Sequence, residues 1–255
     1  MNIVILGSGN TATVLAKMMH VAGHSIVQVW SRNQEHAAEL AKQVQSKAIH
    51  SLQEITTDAD LCMIAVSDKA ISEVAAELKL KKKVLVHTAG SVSMEVLKNA
   101  SPNYGVLYPL QSLRKEMTDL PAVPFLIDGN SDDVKALLKD FALSLSDKVE
   151  VANDDARLQM HLAAVITSNF TNHLYAVTEE FCQKRQLDFN LLHPLIQEVA
   201  NRLNQGRAID MQTGPARRGD DETIQKHLHI LKADEHLHDL YQLLSESIHH
   251  LYHKK

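Results

Sequence analysis

The chain is short of the features that mark specialised classes of protein. It has two cysteines in 255 residues, Cys62 and Cys182, which form neither a CxxC pair nor a disulfide framework. A reducing compartment is the default reading, and a small disulfide-stapled fold is excluded. Nine glycines and six prolines are too few for a collagen-like or low-complexity chain. No apolar run approaches the ~18–20 residues that a membrane helix needs. The segment after Met1 has no basic stretch and runs straight into a strand pattern, so no signal peptide and a cytoplasmic location are expected. Positive charge is not in excess: 26 Lys and Arg stand against 31 Asp and Glu, a net charge of -5. That removes the basic footprint of a nucleic-acid binder. No repeats or flexible linkers are visible. What is present is 45% hydrophobic residues, enough for one large or two modest cores. The one excess is histidine: there are 15, and seven follow residue 225.

The first part of the chain alternates strand and helix. Asn2–Leu6, Ser25–Trp30, Ile49–Ser51, Asp60–Val66, Val84–His87, Tyr104–Tyr108, Pro124–Ile127 and Lys148–Val151 read as strands, with helical patterns between most of them. This spacing predicts βαβ units in a doubly wound parallel sheet. From Asn153 onward only helical periods remain, including one long helix capped by Asp154 or Asp155 and reaching Lys184. The expected architecture is α/β: a dinucleotide-binding domain over 1–152 and an all-α domain over 153–255.

Chemistry first shows at the turn after the first strand. Gly7-Ser8-Gly9-Asn10-Thr11-Ala12 is a G-x-G-x-x-A pattern that opens a helix. The first glycine permits a tight turn, the second lets backbone approach a pyrophosphate, and the small Ala12 allows close helix–strand packing. Free amides at the helix start face the phosphates. An NAD site usually places Asp or Glu about 20 residues further on. This chain has Ser31-Arg32-Asn33 instead, donors and a cation suited to a 2′-phosphate, so the expected cofactor is NADP. Ligands in such sheets lie beyond the carboxyl ends of the strands. Val66 and Ser67 follow the fourth strand, and Thr88 and Gly90 follow the fifth, where a nicotinamide would lie. His87 ends that strand and reads equally well as catalytic or as a hydrogen-bonded structural histidine.

These segments, with YPLQS at 108–112, HLAAVITSN at 161–169 and TGPARRGDDETIQKHL at 213–228, give the chain a family resemblance. It resembles two-domain proteins that join a Rossmann-like NADP-binding domain to a C-terminal domain of unknown function. In layout these are related to pyrroline-5-carboxylate reductases and the 6-phosphogluconate dehydrogenase-like group. The resemblance spans nearly the whole chain. It implies an oxidoreductase, names no substrate, and suggests a homodimer through the helical domain. One departure is Tyr108, where many such proteins carry His before Pro-Leu-Gln. A second is Val165: related hydroxyacid dehydrogenases place a Lys four residues before the Asn on the long helix.

Further residues of the helical part carry chemistry. His161 is able to exchange a proton near neutral pH. Asn169, eight residues on, is placed to hold a carbonyl or carboxamide. In the resembling reductases a loop and helix start bind a substrate carboxylate, which assigns that role here to Thr223 with the Gly219-Asp220 turn. The tail histidines form H-x-H pairs that diverge on a helix, and no metal site is expected from them. The expected function is hydride exchange between NADP(H) and a small carbonyl or imine compound, with His161 as general acid/base, Asn169 as orienter and His87 as a weaker candidate. A non-catalytic NADP(H)-binding regulator and a deazaflavin-linked NADP reductase are the alternatives.

Overall fold

The computed structural model describes residues 1–253. The chain parts into two compact units, Met1–Phe170 and Thr171–Lys255.

The first unit is built on eight strands: β1 (Asn2–Leu6), β2 (Ser25–Trp30), β3 (Lys47–Ile49), β4 (Leu61–Ile64), β5 (Val84–His87), β6 (Asn103–Pro109), β7 (Phe125–Gly129) and β8 (Val149–Val151). They form one sheet in the order β3-β2-β1-β4-β5-β6-β7-β8. The order in which strands are added reverses at β1: the chain moves outward to β2 and β3, then returns to β4 on the other side. The crevice beyond β1 and β4 is therefore the topological switch point where ligands bind in such sheets.

Side-chain alternation along β1 explains the double winding. Ile3 and Ile5 join the core beneath α1 (Asn10–Val21), α2 (Gln34–Gln43) and α4 (Asp132–Leu143). Val4 and Leu6 join the opposite core with Ile71, Val74 and Ala75 of α3 (Asp68–Ala76). Successive strand residues point to opposite faces, so a continuously apolar strand must be covered on both. Ser131 caps α4 by accepting the Val134 N–H.

The fold class is the expected one, with one difference. β6 and β7 run antiparallel, from Gly105 opposite Gly129 to Pro109 opposite Phe125. The residues between them, 110–124, contain no helix. Without a helical crossover the chain turns back along the strand it has just left. A helix, α4, does join β7 to β8, and that pair is parallel.

Helix α5 (Asp154–Ala164) is capped by Asn153, whose side chain accepts the Ala156 N–H, and it packs with this unit. The expected single helix to Lys184 is instead α5, a π turn over Val165–Phe170, and α6 (Thr171–Lys184). The second unit holds α6, α7 (His193–Arg202), the short α8 (Pro215–Arg218), α9 (Asp221–Leu231) and α10 (Glu235–Tyr252), with short 3-10 turns and no strand among its described residues.

The turn after β1 is the tightest point of the sheet. Gly7 has φ of +136°, and a Cβ built there would stand 2.1 Å from the Ala65 carbonyl oxygen. The backbone on both sides is locked, since the Gly7 N–H bonds Trp30 O at 2.7 Å and the Ala65 N–H bonds Leu6 O at 2.8 Å. Gly7→Ala combines a forbidden backbone angle with a main-chain clash. It is expected to destabilise the protein by about 3 kcal/mol or more and to lower the thermal midpoint by about 6–12 °C, as read by calorimetry or circular dichroism.

Candidate active site

The glycine turn opens into a crevice of about 370 Å³ lined by Gly7, Ser8, Gly9, Asn10, Thr11, Ser31, Arg32, Ala65, Val66, Ser67 and Ala70. Three strand ends thus meet there: β1 through the turn, β2 through Ser31-Arg32, and β4 through Ala65–Ser67. The Ser8 hydroxyl donates to Ser31 Oγ at 2.8 Å and ties the turn to the end of β2. Gly9 is the N-cap of α1 and offers no side-chain cap, so the first amides of the helix keep their hydrogen-bonding capacity. A Cβ at Gly9 would meet nothing within 4 Å, which leaves open space over those amides. This cradle fits a pyrophosphate.

The remaining residues expected at the cofactor are placed differently. Ala12 is fully buried, as close helix–sheet packing requires. Asn33 caps α2 by accepting the His36 N–H at 3.1 Å. Thr88 is buried and its N–H bonds Ile64 O. Asn10 does line the crevice, and its side chain accepts the N–H of Lys115 from the loop after β6. Gly90 supports a side chain: its Cβ position lies 2.8 Å from Cγ and Nδ1 of His161, so only glycine leaves room for the imidazole.

His161 lines a second cavity in the same unit, of about 520 Å³. Its lining includes Tyr108, Gln111, Ser112, His161, Thr167, Ser168 and Asn169. Tyr108 Oη and His161 Nδ1 are hydrogen-bonded at 2.9 Å, and the rings meet edge to face with centroids 5.9 Å apart. Burial, reinforced by the charge of Asp68, pushes the Tyr108 phenol above its ordinary pKa, so it stays protonated. The phenol therefore keeps its proton at neutral pH. The π turn explains how Asn169 shares this cavity with His161, since it inserts extra backbone into the helix between them. Within it the Thr167 hydroxyl donates back to Ala163 O.

Three successive residues of the loop after β5 are tied down beside His161. Gly90 lies against its ring, Ser91 donates to the Asp68 carboxylate at 2.5 Å, and the Val92 carbonyl accepts from Arg157 Nη2. Arg157 sits one helical turn before His161, only 1% exposed, and also pairs with Asp154 at 2.8 Å. Its Nε and Nη1 have no protein partner.

His87 is fully buried. Its Nδ1 accepts the Ala89 N–H at 3.2 Å, and its Nε2 has no partner. Burial, with help from the Arg157 charge, pulls its pKa down to about 4. A neutral, walled-in imidazole supports the strand end, and it lines neither cavity.

Asp220 and Thr223 lie together in the second unit. The Asp220 carboxylate caps α9 by accepting both the N–H and the hydroxyl of Thr223, at 3.1 and 2.8 Å. These bonds hold its pKa low. Gly219 takes the left-handed conformation that ends α8 (φ +69°). His227, inside the same motif, bonds Tyr241 through Nδ1 at 2.7 Å. The pair His249 and His253 stacks at 4.5 Å. Among the described residues, no three His, Cys, Asp or Glu side chains are grouped to hold a metal ion.

Tyr108 is noted in the sequence only as a departure from the resembling proteins and is given no role there; the structure brings it to His161. Its signal was its position at the carboxyl end of β6, where site residues collect.

Comparison with known proteins supports this layout. Residues 2–90 match the family described as NADP oxidoreductase, coenzyme F420-dependent, and residues 123–248 match a domain of unknown function, DUF2520. A Bacteroides fragilis protein provisionally named an NADP oxidoreductase is 41% identical, with 97% of each chain covered and a TM-score of 0.89. The chain belongs to this two-domain NADP oxidoreductase family. The expected cofactor, NADP, agrees with the family description. Two more distant structures share the fold: a Thermotoga maritima protein (24% identity, 98% of each chain, TM-score 0.73) and the 1-pyrroline-5-carboxylate reductase of Streptococcus pyogenes (15%, 98% of each, 0.68). No curated protein sequence matches the chain.

The buried His87 makes a pH prediction. Its native pKa of about 4 lies below the unfolded value near 6.5, so the unfolded chain binds the proton first. Its contribution is complete above about pH 6.5 and is lost progressively as pH falls toward 4, by about 3 kcal/mol in all. Urea denaturation at pH 7 and 4.5 is expected to show a smaller acid loss in His87→Asn than in the wild type.

Proposed function

We propose that the protein is an NADP(H)-dependent oxidoreductase acting on a small carbonyl or imine compound. The observation that carries this reading is the Tyr108–His161 pair, a protonated phenol on an imidazole, facing a cavity it shares with Asn169. Reduced NADP, when bound, supplies two electrons as hydride to the carbonyl or imine carbon. The chain's own part is then binding and proton supply. The α1 amides and the glycine turn hold the pyrophosphate, and Ser31 with Arg32 receives the 2′-phosphate. The Asn169 amide orients the substrate oxygen or nitrogen. The Tyr108–His161 pair delivers the proton that this atom acquires as its π bond breaks, and is reprotonated from water.

A purely regulatory NADP(H)-binding protein has no use for a titratable pair in a cavity of this size. The coenzyme F420 in the family description favours the deazaflavin reading as the second one, but the matched residues 2–90 cover the dinucleotide side alone. Asp220 and Thr223 are proposed as substrate-binding residues of the helical unit. Because the Thr223 hydroxyl already donates to Asp220, the two act together.

The helical unit also supports a homodimer. Its buried apolar residues are Cys182, Ala216 and Leu231, among those described. Meanwhile Leu191, Leu195, Val199 and Leu203, spaced by four along and around α7, are each more than half exposed. Such a stripe is the face a partner helix covers. Light scattering is expected to give a dimer, and Leu195→Glu with Val199→Glu a monomer; a monomeric wild type at micromolar concentration refutes the assignment.

An NADPH-coupled screen of cyclic imines, ketones and keto acids, with a parallel deazaflavin arm, tests the reaction. On the substrate found, Tyr108→Phe and His161→Ala are expected to lower kcat by about 10²–10⁴-fold with NADPH affinity unchanged. A His161→Ala variant of full turnover removes the proton-transfer role.

A further inference from the structure

Arg32 does not stand alone at the crevice. Its Nη2 is bonded to Glu73 Oε2 at 2.5 Å. Ala70 lines the crevice, and Glu73 is three residues further along α3, on the same side of the helix. A carboxylate therefore occupies the cation that a 2′-phosphate would need. The contact uses one nitrogen only, so the guanidinium fork is not saturated. Both side chains are about two-thirds exposed, at 64% and 67%, which makes the pair weak and exchangeable.

We propose that Glu73 is a specificity-determining residue: it competes with the cofactor's 2′-phosphate for Arg32 and so limits how strongly the protein prefers NADP(H) to NAD(H). The proposal rests on reading this crevice as the dinucleotide site. A 2′-phosphate carries about -1.5 to -2 charges at neutral pH. To reach Arg32 it must displace or crowd a like-charged carboxylate. The ribose hydroxyl of NAD(H) meets no such penalty and can accept from Arg32 or donate to Glu73. Glu73 thus opposes the selectivity that Ser31 and Arg32 create. Glutamine has the same shape and keeps an oxygen for Arg32, so Glu73→Gln removes the charge without removing the positioning contact.

The test is titration calorimetry with NADPH, NADH and adenosine 2′,5′-bisphosphate on the wild type, Glu73→Gln, Arg32→Ala and the double variant. Glu73→Gln is expected to tighten NADPH and the bisphosphate by about two- to ten-fold and to leave NADH within about two-fold. In the Arg32→Ala background the same change is expected to gain less than about two-fold, because exposed charges without the shared cation are screened. Weaker NADPH binding in Glu73→Gln overturns the proposal, for Glu73 then organises Arg32 for the phosphate. Unchanged affinities, or equal tightening of NADPH and NADH, also overturn it. A wild type that binds neither NADPH nor NADH refutes the dinucleotide reading itself, and the proposal with it.

Discussion

Close approach of main chain at the carboxyl ends of β1 and β5 is the constraint on which the sites depend. At Gly7 the backbone passes the Ala65 carbonyl with no space for a Cβ. That passage lets the turn deliver the unpaired amides of α1 to the crevice between β1 and β4. At Gly90 the space that a Cβ would occupy belongs to the His161 ring. Each glycine is needed for what lies against it: a carbonyl in one case and an imidazole in the other. The two close approaches place a crevice lined by the glycine turn and a hydrogen-bonded Tyr108–His161 pair on one sheet.

The loop after β5 gains its rigidity from charge. Asp68 at the start of α3 and Arg157 on α5 hold neighbouring residues, Ser91 and Val92, while Arg157 is itself paired with Asp154. A buried guanidinium is a poor source of net stability, since desolvation offsets most of its attraction, yet breaking its pairing is expensive. Its value here is geometric. Arg157 and His161 lie one turn apart on α5, so the residue that pins the helix to the loop also sets the height of the imidazole over Gly90. The same cation helps to keep His87 neutral.

Much of the first unit was legible in the residues. β1, β2 and β5 have the bounds that their continuous apolar runs predict, and the glycine turn, Ser31-Arg32 and Val66-Ser67 do line one crevice. Parallel strands are marked by helical segments between them, and α-helices or short 3-10 turns do separate β1 to β6. The antiparallel turn into β7 was not foreseen because strand direction leaves no trace in a period of two; the missing helix between 110 and 124 was its only sign. The π turn escaped for a similar reason. A pattern read at 3.6 residues per turn cannot show where one wider turn is inserted, and it is this turn that lets Asn169 line the cavity of His161.

By itself the sequence determined what local chemistry determines: which runs are strands, where the chain must turn on glycine, and that a glycine turn opening a helix follows the first strand. These depend on neighbours within a few residues. The tertiary structure alone decided which distant side chains meet. Tyr108 and His161 are 53 residues apart, Arg32 and Glu73 are 41 apart, and Gly90 finds His161 across the space between a loop and a helix. Their partnerships arise from the packing of α3 and α5 against the sheet. Such contacts follow from the closure of long loops around a shared core, and no periodicity along the chain encodes them.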